Sequence, residues 1–182
     1  MGPILAKIHF ERAGNSADAW ASVAENLRFA AQVLLKKSDE AEALAPDQEV
    51  TQLSNRARLG AIELMLKGMA MECLLKALWV KQGNLFVQAG EFEPVSGAGA
   101  HDLRQLAQAV SISTTPHERD LLGRLSHFIE YGGRYPIPKK SMKLGLISSP
   151  SGGKASPMTW TTPTDNVLFE GLVSKCTGLL TP

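Results

Sequence analysis

The stretch from Leu53 to Gln82 limits the fold more than any other part of the chain. Leu59, Ile62, Leu66, Met69, Cys73 and Ala77 recur at spacings of three and four, the period of one helix face. Leu64, Met71, Leu75 and Leu78 mark a second apolar side of the same helix. A helix apolar on two sides must be covered on both, so this one is predicted to be central, with several neighbours. Glu63 with Lys67, and Glu72 with Lys76, add i,i+4 pairs in the favourable orientation. Gly83-Asn84 ends the element.

The other segments supply partners for that helix. Asn15 or Ser16 can cap a helix with Asp18 in its first turn, and Trp20, Val23, Leu27, Ala30 and Leu34 form its stripe. Residues 1–14 show no clear period and read as a loosely docked arm, and the acidic, Pro46-containing residues 38–49 read as a connection. Gly83, Gly90, Pro94, Gly97 and Gly99 mark a loop. His101-Asp102 then opens a short helix bearing Leu103, Leu106 and Val110, and either residue can cap it. Pro116 suits the first turn of a further helix, whose apolar face is Leu121, Leu122, Leu125, Phe128 and Ile129 and which stops at Gly132-Gly133. A last helix follows from Asp165, with Leu168, Leu172, Cys176 and Leu179 in line. No useful period-two pattern and no internal repeat is present. The expected architecture is a single all-α domain over residues 1–182, an up-and-down bundle of four to five helices, with a long loop at 132–164 before the last one.

Charge separates that loop from the body. The whole chain carries a formal +1, which excludes a global pull toward nucleic acid or anionic membrane. Arg134, Lys139, Lys140, Lys143 and Lys154 fall within 132–164 with no acidic residue beside them, so the segment is basic and the remainder acidic. Its basic groups can meet RNA phosphates while Tyr135 or Trp160 offers a stacking face. The same composition also suits a tether that orders on a partner protein, or a solvated connection. No apolar run has the length of a membrane span and no secretory leader is visible, so a soluble cytoplasmic protein is expected. Cys73 and Cys176 lie in apolar helical patterns and are expected as buried free thiols. No metal-ligand spacing occurs, and Ser151–Lys154 lacks the first glycine, the following Ser/Thr and the preceding strand of a phosphate loop. No cofactor is expected.

The phrases "MECLLKALWVKQGN", "AHDLRQLAQ" and "FIEYGGRYPIP", in that order, resemble the HEPN superfamily over about residues 60–138. The resemblance implies a helical bundle, often a homodimer. It implies an RNA-related role in a toxin–antitoxin or phage-defence system, with a cognate nucleotidyltransferase or another antitoxin or defence protein as partner. Active family ribonucleases work without metal and carry an arginine and a histidine four to six residues apart. No arginine here has a histidine at that spacing. Catalysis is therefore expected to be atypical or absent, and the alternative is a non-catalytic helical module that binds a partner protein or a nucleotide.

The nearest substitute is Arg124 with His127 and Tyr131, which share one stripe on an ideal helix, off the Leu/Phe/Ile face. There an imidazole can move the proton of a ribose hydroxyl while a guanidinium stabilises phosphorane charge. The competing reading is a solvated polar face with His127 near Glu130. His101, at the mouth of the glycine-rich loop, is a candidate contact for a phosphate or a partner, and forms a polar cluster with Glu72 and Lys76 if the fold brings them together. Arg134, Tyr135, Lys139 and Lys140 complete the candidate contacts for RNA or a partner.

Overall fold

The computed structural model describes residues 3–43, 55–95, 101–135, 140–141, 145, 147–148, 152–155 and 163–181. Its helices are α1 (Pro3–Gly14), α2 (Ala17–Ala43), α3 (Asn55–Lys81), α4 (Leu103–Ala109), α5 (Pro116–His127) and α6 (Pro163–Leu180). A π-helical turn, Phe128–Gly132, continues α5. Two antiparallel hairpins of two-residue strands, β1 (Val87–Gln88) with β2 (Glu91–Phe92) and β3 (Ile147–Ser148) with β4 (Lys154–Ala155), interrupt an otherwise all-α architecture. Among the described residues, no helix is long and apolar enough to cross a membrane.

The central role of α3 holds. It packs along α2 and also meets α4, α5, the π turn and α6. Leu64, Met71, Leu75 and Leu78 are buried, as are Cys73 and Ala77. The first stripe is nonetheless only partly covered, because Ile62 and Met69 remain exposed. Phe86, Phe128 and Phe169 lie fully inside, and each such side chain contributes roughly 1.5–3 kcal/mol through burial.

Residues 3–14, which the sequence marks as a loosely docked arm without a clear period, carry a helix. Its Ile4, Leu5, Ile8 and Phe10 stay exposed, so no buried face imposed a period on the sequence. The C-terminal end of α1 is the anchored part. The Asn15 amide donates to Val87 O at 2.8 Å, and its Oδ1 accepts from Phe86 N and Val87 N. Ser16 takes the capping role for α2, accepting from Ala19 N at 3.2 Å. The helix α2 also extends into the segment expected as a connection, reaching Ala43.

The start of α5 follows from Thr115-Pro116-His117-Glu118. Thr115 Oγ1 accepts from Glu118 N while Glu118 Oε2 accepts from Thr115 N, a reciprocal capping box with proline in the first turn. Its far end does more than stop. Gly133 N bonds Phe128 O across five residues, and the wider turn shifts the phase of the side chains. A Cβ at Gly133 would overlap Met65 Cβ and lie 3.0 Å from Ala61 O, so this glycine permits the chain to cross directly against α3. Gly133→Ala is expected to cost about 1–3 kcal/mol through overpacking, read as a lowered urea midpoint at unchanged m-value. A midpoint equal to that of the wild type would show that the crossing can loosen freely.

Candidate functional site

Arg124, His127 and Tyr131 lie along a mostly buried seam of α5 and the π turn, in two separate contacts, Arg124 with Asp165 and His127 with Tyr131. The Arg124 guanidinium donates through Nη1 to Asp165 Oδ2 at 3.0 Å and through Nη2 to Asp165 Oδ1 at 2.5 Å. The two side chains are only 13% and 8% exposed. The planar fork of arginine matches a carboxylate edge on, which makes this among the strongest side-chain pairings available. Asp165 sits in the first turn of α6, where the helix dipole favours an anion. His127 meets the Tyr131 ring edge to face, with centroids 5.9 Å apart.

Tyr131 is buried, contrary to a solvated polar face. An ideal α-helix would leave it off the apolar side, but the π turn breaks that phase. Burial, with a smaller contribution from Glu130, raises its phenol above the ordinary value. The hydroxyl therefore stays protonated at neutral pH.

The seam continues onto α3 through the next residue of α6. Lys67 Nζ donates to Asn166 Oδ1 at 2.5 Å, lies 2.5 Å from Glu63 Oε1, and sits 5.5 Å from the centre of the Phe169 ring. The Glu63 contact is short but off axis, so it acts as an ion contact while the aligned bond goes to Asn166. Lys67 and Glu63, legible in the sequence only as a helix pair, are both buried. Asp165 and Asn166 thus dock the start of α6 on cations from two different helices. Neither pairing had a signal in the sequence beyond an acidic residue at a helix start.

A second cluster gathers Glu72, Lys76 and His101. Asp102, not His101, caps α4, accepting from Arg104 N and Gln105 N at 3.1 Å. His101 takes a left-handed backbone, φ 67°, which is rare outside glycine. Its Nδ1 donates to Glu72 Oε2 at 2.7 Å, and Lys76 Nζ lies 2.7 Å from Glu72 Oε1. The Lys76 ammonium is also held by aromatic rings, 4.9 Å from Trp20, 5.9 Å from Phe86 and 5.8 Å from Phe92. Trp20 comes from α2, while Phe86 precedes β1 and Phe92 ends β2, and the convergence of the two segments has no sequence signature. Chemically, a carboxylate that fixes Nδ1 leaves Nε2 of a half-exposed imidazole as the group able to exchange a proton.

Burial alone would raise the Glu72 carboxyl, but hydrogen bonds from Lys76 and His101 outweigh it and hold the group below its ordinary 4.5. Glu118 behaves alike. Burial opposes its ionisation, while Lys175, at 2.7 Å, and the Thr115 backbone amide prevail. Both groups stabilise the fold above the carboxylate range of the unfolded chain, and that stability is lost as pH falls through their lowered folded values. The urea midpoint is therefore expected to drop as the pH is taken from about 5 to about 3, and to drop less in Glu118→Gln. An equally steep decline in that variant would remove Glu118 from the acid response.

The remaining expected contacts sit at the exit of the π turn. Arg134 Nη2 donates to Ile129 O and, at 3.3 Å, to Glu130 O, so the guanidinium closes the helix end as well as facing solvent. It lies 5.7 Å from the centre of the exposed Tyr135 ring. Lys140 is exposed, whereas Lys139, Lys143 and Trp160 lie outside the described residues. The two thiols are buried and free. Burial pushes Cys73 up to about 11 and Cys176 up to about 12, which removes both as neutral-pH nucleophiles. No group of His, Cys, Asp or Glu among the described residues could hold a metal ion. No family model, curated protein or solved structure matches this chain.

Proposed function

We propose that the chain is an RNA-related HEPN-like component of a prokaryotic toxin–antitoxin or phage-defence system that holds RNA without cutting it through Arg124 and His127. The observation that carries the non-catalytic half is the two-bond pairing of Arg124 with Asp165. A guanidinium engaged by a buried carboxylate is poorly placed to receive the charge of a phosphorane, since the pair would first have to break at a cost. The exposed Tyr135 beside Arg134, followed by exposed Lys140, supports the RNA half. Homodimerisation belongs to the same reading. Phe29 and Val33 on α2, and Ile62 and Met69 on α3, are exposed apolar side chains on the two longest helices.

Labelled single-stranded RNA, incubated without metal with wild type, His127→Ala and His101→Ala, tests this reading. The expected result is retention of RNA with no cutting that depends on His127. Neutralising Lys139 and Lys140 should flatten the salt dependence of binding, by about 0.7 in log–log slope for each phosphate no longer neutralised. Cutting that disappears in His127→Ala would restore the catalytic reading. Absence of RNA binding would leave the helical module, with a cognate nucleotidyltransferase or another antitoxin or defence protein as its partner.

A further inference from the structure

A cleft lies between α4 and the start of α5, and its lining includes none of the residues of the Arg124 and His101 clusters. It encloses about 380 Å³ and is lined by Arg104, Gln105, Gln108, Ile112, Thr114 and Arg119. That volume falls at the small end of ligand sites. Arg104 and Gln105 lie four and three residues before Gln108 on α4, so each is a neighbour of Gln108 on the helix surface. Arg119 comes from the first turn of α5, and Ile112 from the link between the helices.

The two arginines are held mainly by neutral acceptors. Arg104 Nε donates to Arg119 O at 2.6 Å, and Arg119 Nη1 donates to Thr114 O at 2.6 Å. The nearest carboxylate oxygen to Arg104 is that of Asp120, at 3.8 Å from Nη2, beyond hydrogen-bond range. Among the described residues no carboxylate pairs with Arg119. A backbone carbonyl fixes a guanidinium without cancelling its charge. Arg124 and Arg28 show the contrast, since each is met by carboxylates at bonding distance. The Nε and Nη2 edge of Arg104 faces α5, where Nη2 lies so close against Gly123 that a Cβ there would overlap it. That packing holds the guanidinium in place, and among the described residues its buried Nη2 has no hydrogen-bond acceptor.

We propose that this cleft binds a phosphate ester, with Arg104 and Arg119 as the anion-recognising pair and Gln108 as a neutral donor beside them. Two preset guanidiniums suit a tetrahedral dianion or a phosphodiester better than a carboxylate, because its oxygens can accept from both sides at once. Ile112 supplies an apolar wall for the esterified group. The inference does not depend on the RNA reading, since a free nucleotide presents the same phosphate chemistry without an RNA chain.

The test uses the full chain, its Arg119→Gln and Gln108→Glu variants, and three probes: inorganic phosphate, adenosine 5′-monophosphate and a single-stranded oligoribonucleotide. Arg119 and Gln108 are exposed, so both variants are expected to fold, with circular dichroism and unbound melting temperature matching wild type. Isothermal titration should show binding of at least one phosphate probe, weakened about ten-fold or more in each variant, through loss of a charge-assisted bond in Arg119→Gln and through a carboxylate set against the anion in Gln108→Glu. Saturation by the mononucleotide, with no gain from the longer chain, would assign a free nucleotide. Affinity that rises with oligonucleotide length and falls steeply with salt would assign the RNA backbone. Absence of binding by every probe, or binding unchanged in both variants, would overturn the proposal. If RNA binds with Arg119 irrelevant and Lys140 required, the cleft fails while the RNA reading survives.

Discussion

Asp165→Ala is expected to lower the unfolding free energy by about 3–5 kcal/mol, the usual cost of removing one partner from a buried ion pair. The magnitude follows from what is left behind. The Arg124 side chain is 13% exposed, and both of its hydrogen bonds to Asp165 vanish together. Asp165→Asn should cost less, because an amide still offers one oxygen to the guanidinium, though without charge assistance. Chemical denaturation of the two variants checks the order. Equal and small losses, below about 1 kcal/mol, would mean that the pair behaves like an exposed salt bridge, and that Arg124 is freer for chemistry than the buried seam implies. The stability measurement therefore bears on the functional reading as well as on the fold.

The second large effect concerns Glu63 and Lys67, where the sign depends on how the pair is changed. Glu63→Met alone leaves a buried ammonium held, among the described residues, by Asn166 and the face of Phe169, and is expected to cost about 3–5 kcal/mol. Lys67→Met alone strands a buried carboxylate with a similar penalty. The double replacement removes both charges and fills the space with side chains of similar length, so its stability should return close to that of wild type. Asn166 loses a donor in that variant, but it is only half-buried and can turn to water. A double-mutant cycle read by urea unfolding gives the coupling directly. If the losses of the two single variants simply add in the double one, the pair is not coupled, and the short contact between them carries no special weight.

How much of the site was legible follows from the reach of each signal. Glu72 with Lys76 could be named as a pair because four residues bring them onto one helix face. His101 could be suspected beside them only as one outcome among several, because a chain passage separates it from α3. Pro116 marked the start of α5 in the sequence, while the Thr115–Glu118 capping box at the same boundary was recognised in the structure. Arg124, His127 and Tyr131 were read as one stripe, whereas the fold pairs Arg124 with Asp165 and His127 with Tyr131. A π turn is a departure from the helical period used to assign faces, so a periodic reading could not foresee that Tyr131 turns inward.

The sequence by itself determined the helical class, the central position of α3, most helix ends and the basic character of 132–164. These rest on spacings of three and four residues, on caps and on turn residues, all of which act within a few positions of one another. Tertiary structure alone decided that Arg124 is answered by Asp165 across 41 residues and Lys67 by Asn166 across 99. It also decided that Trp20, Phe86 and Phe92 converge on one ammonium. The physical reason is that local propensity selects an element and its buried face, whereas the partner of a charge depends on which faces the connections allow to meet. The segment from His127 onward shows both: its glycines announced an ending, and only the close passage of Gly133 over Met65 and Ala61 revealed why the chain needed a residue without a side chain there.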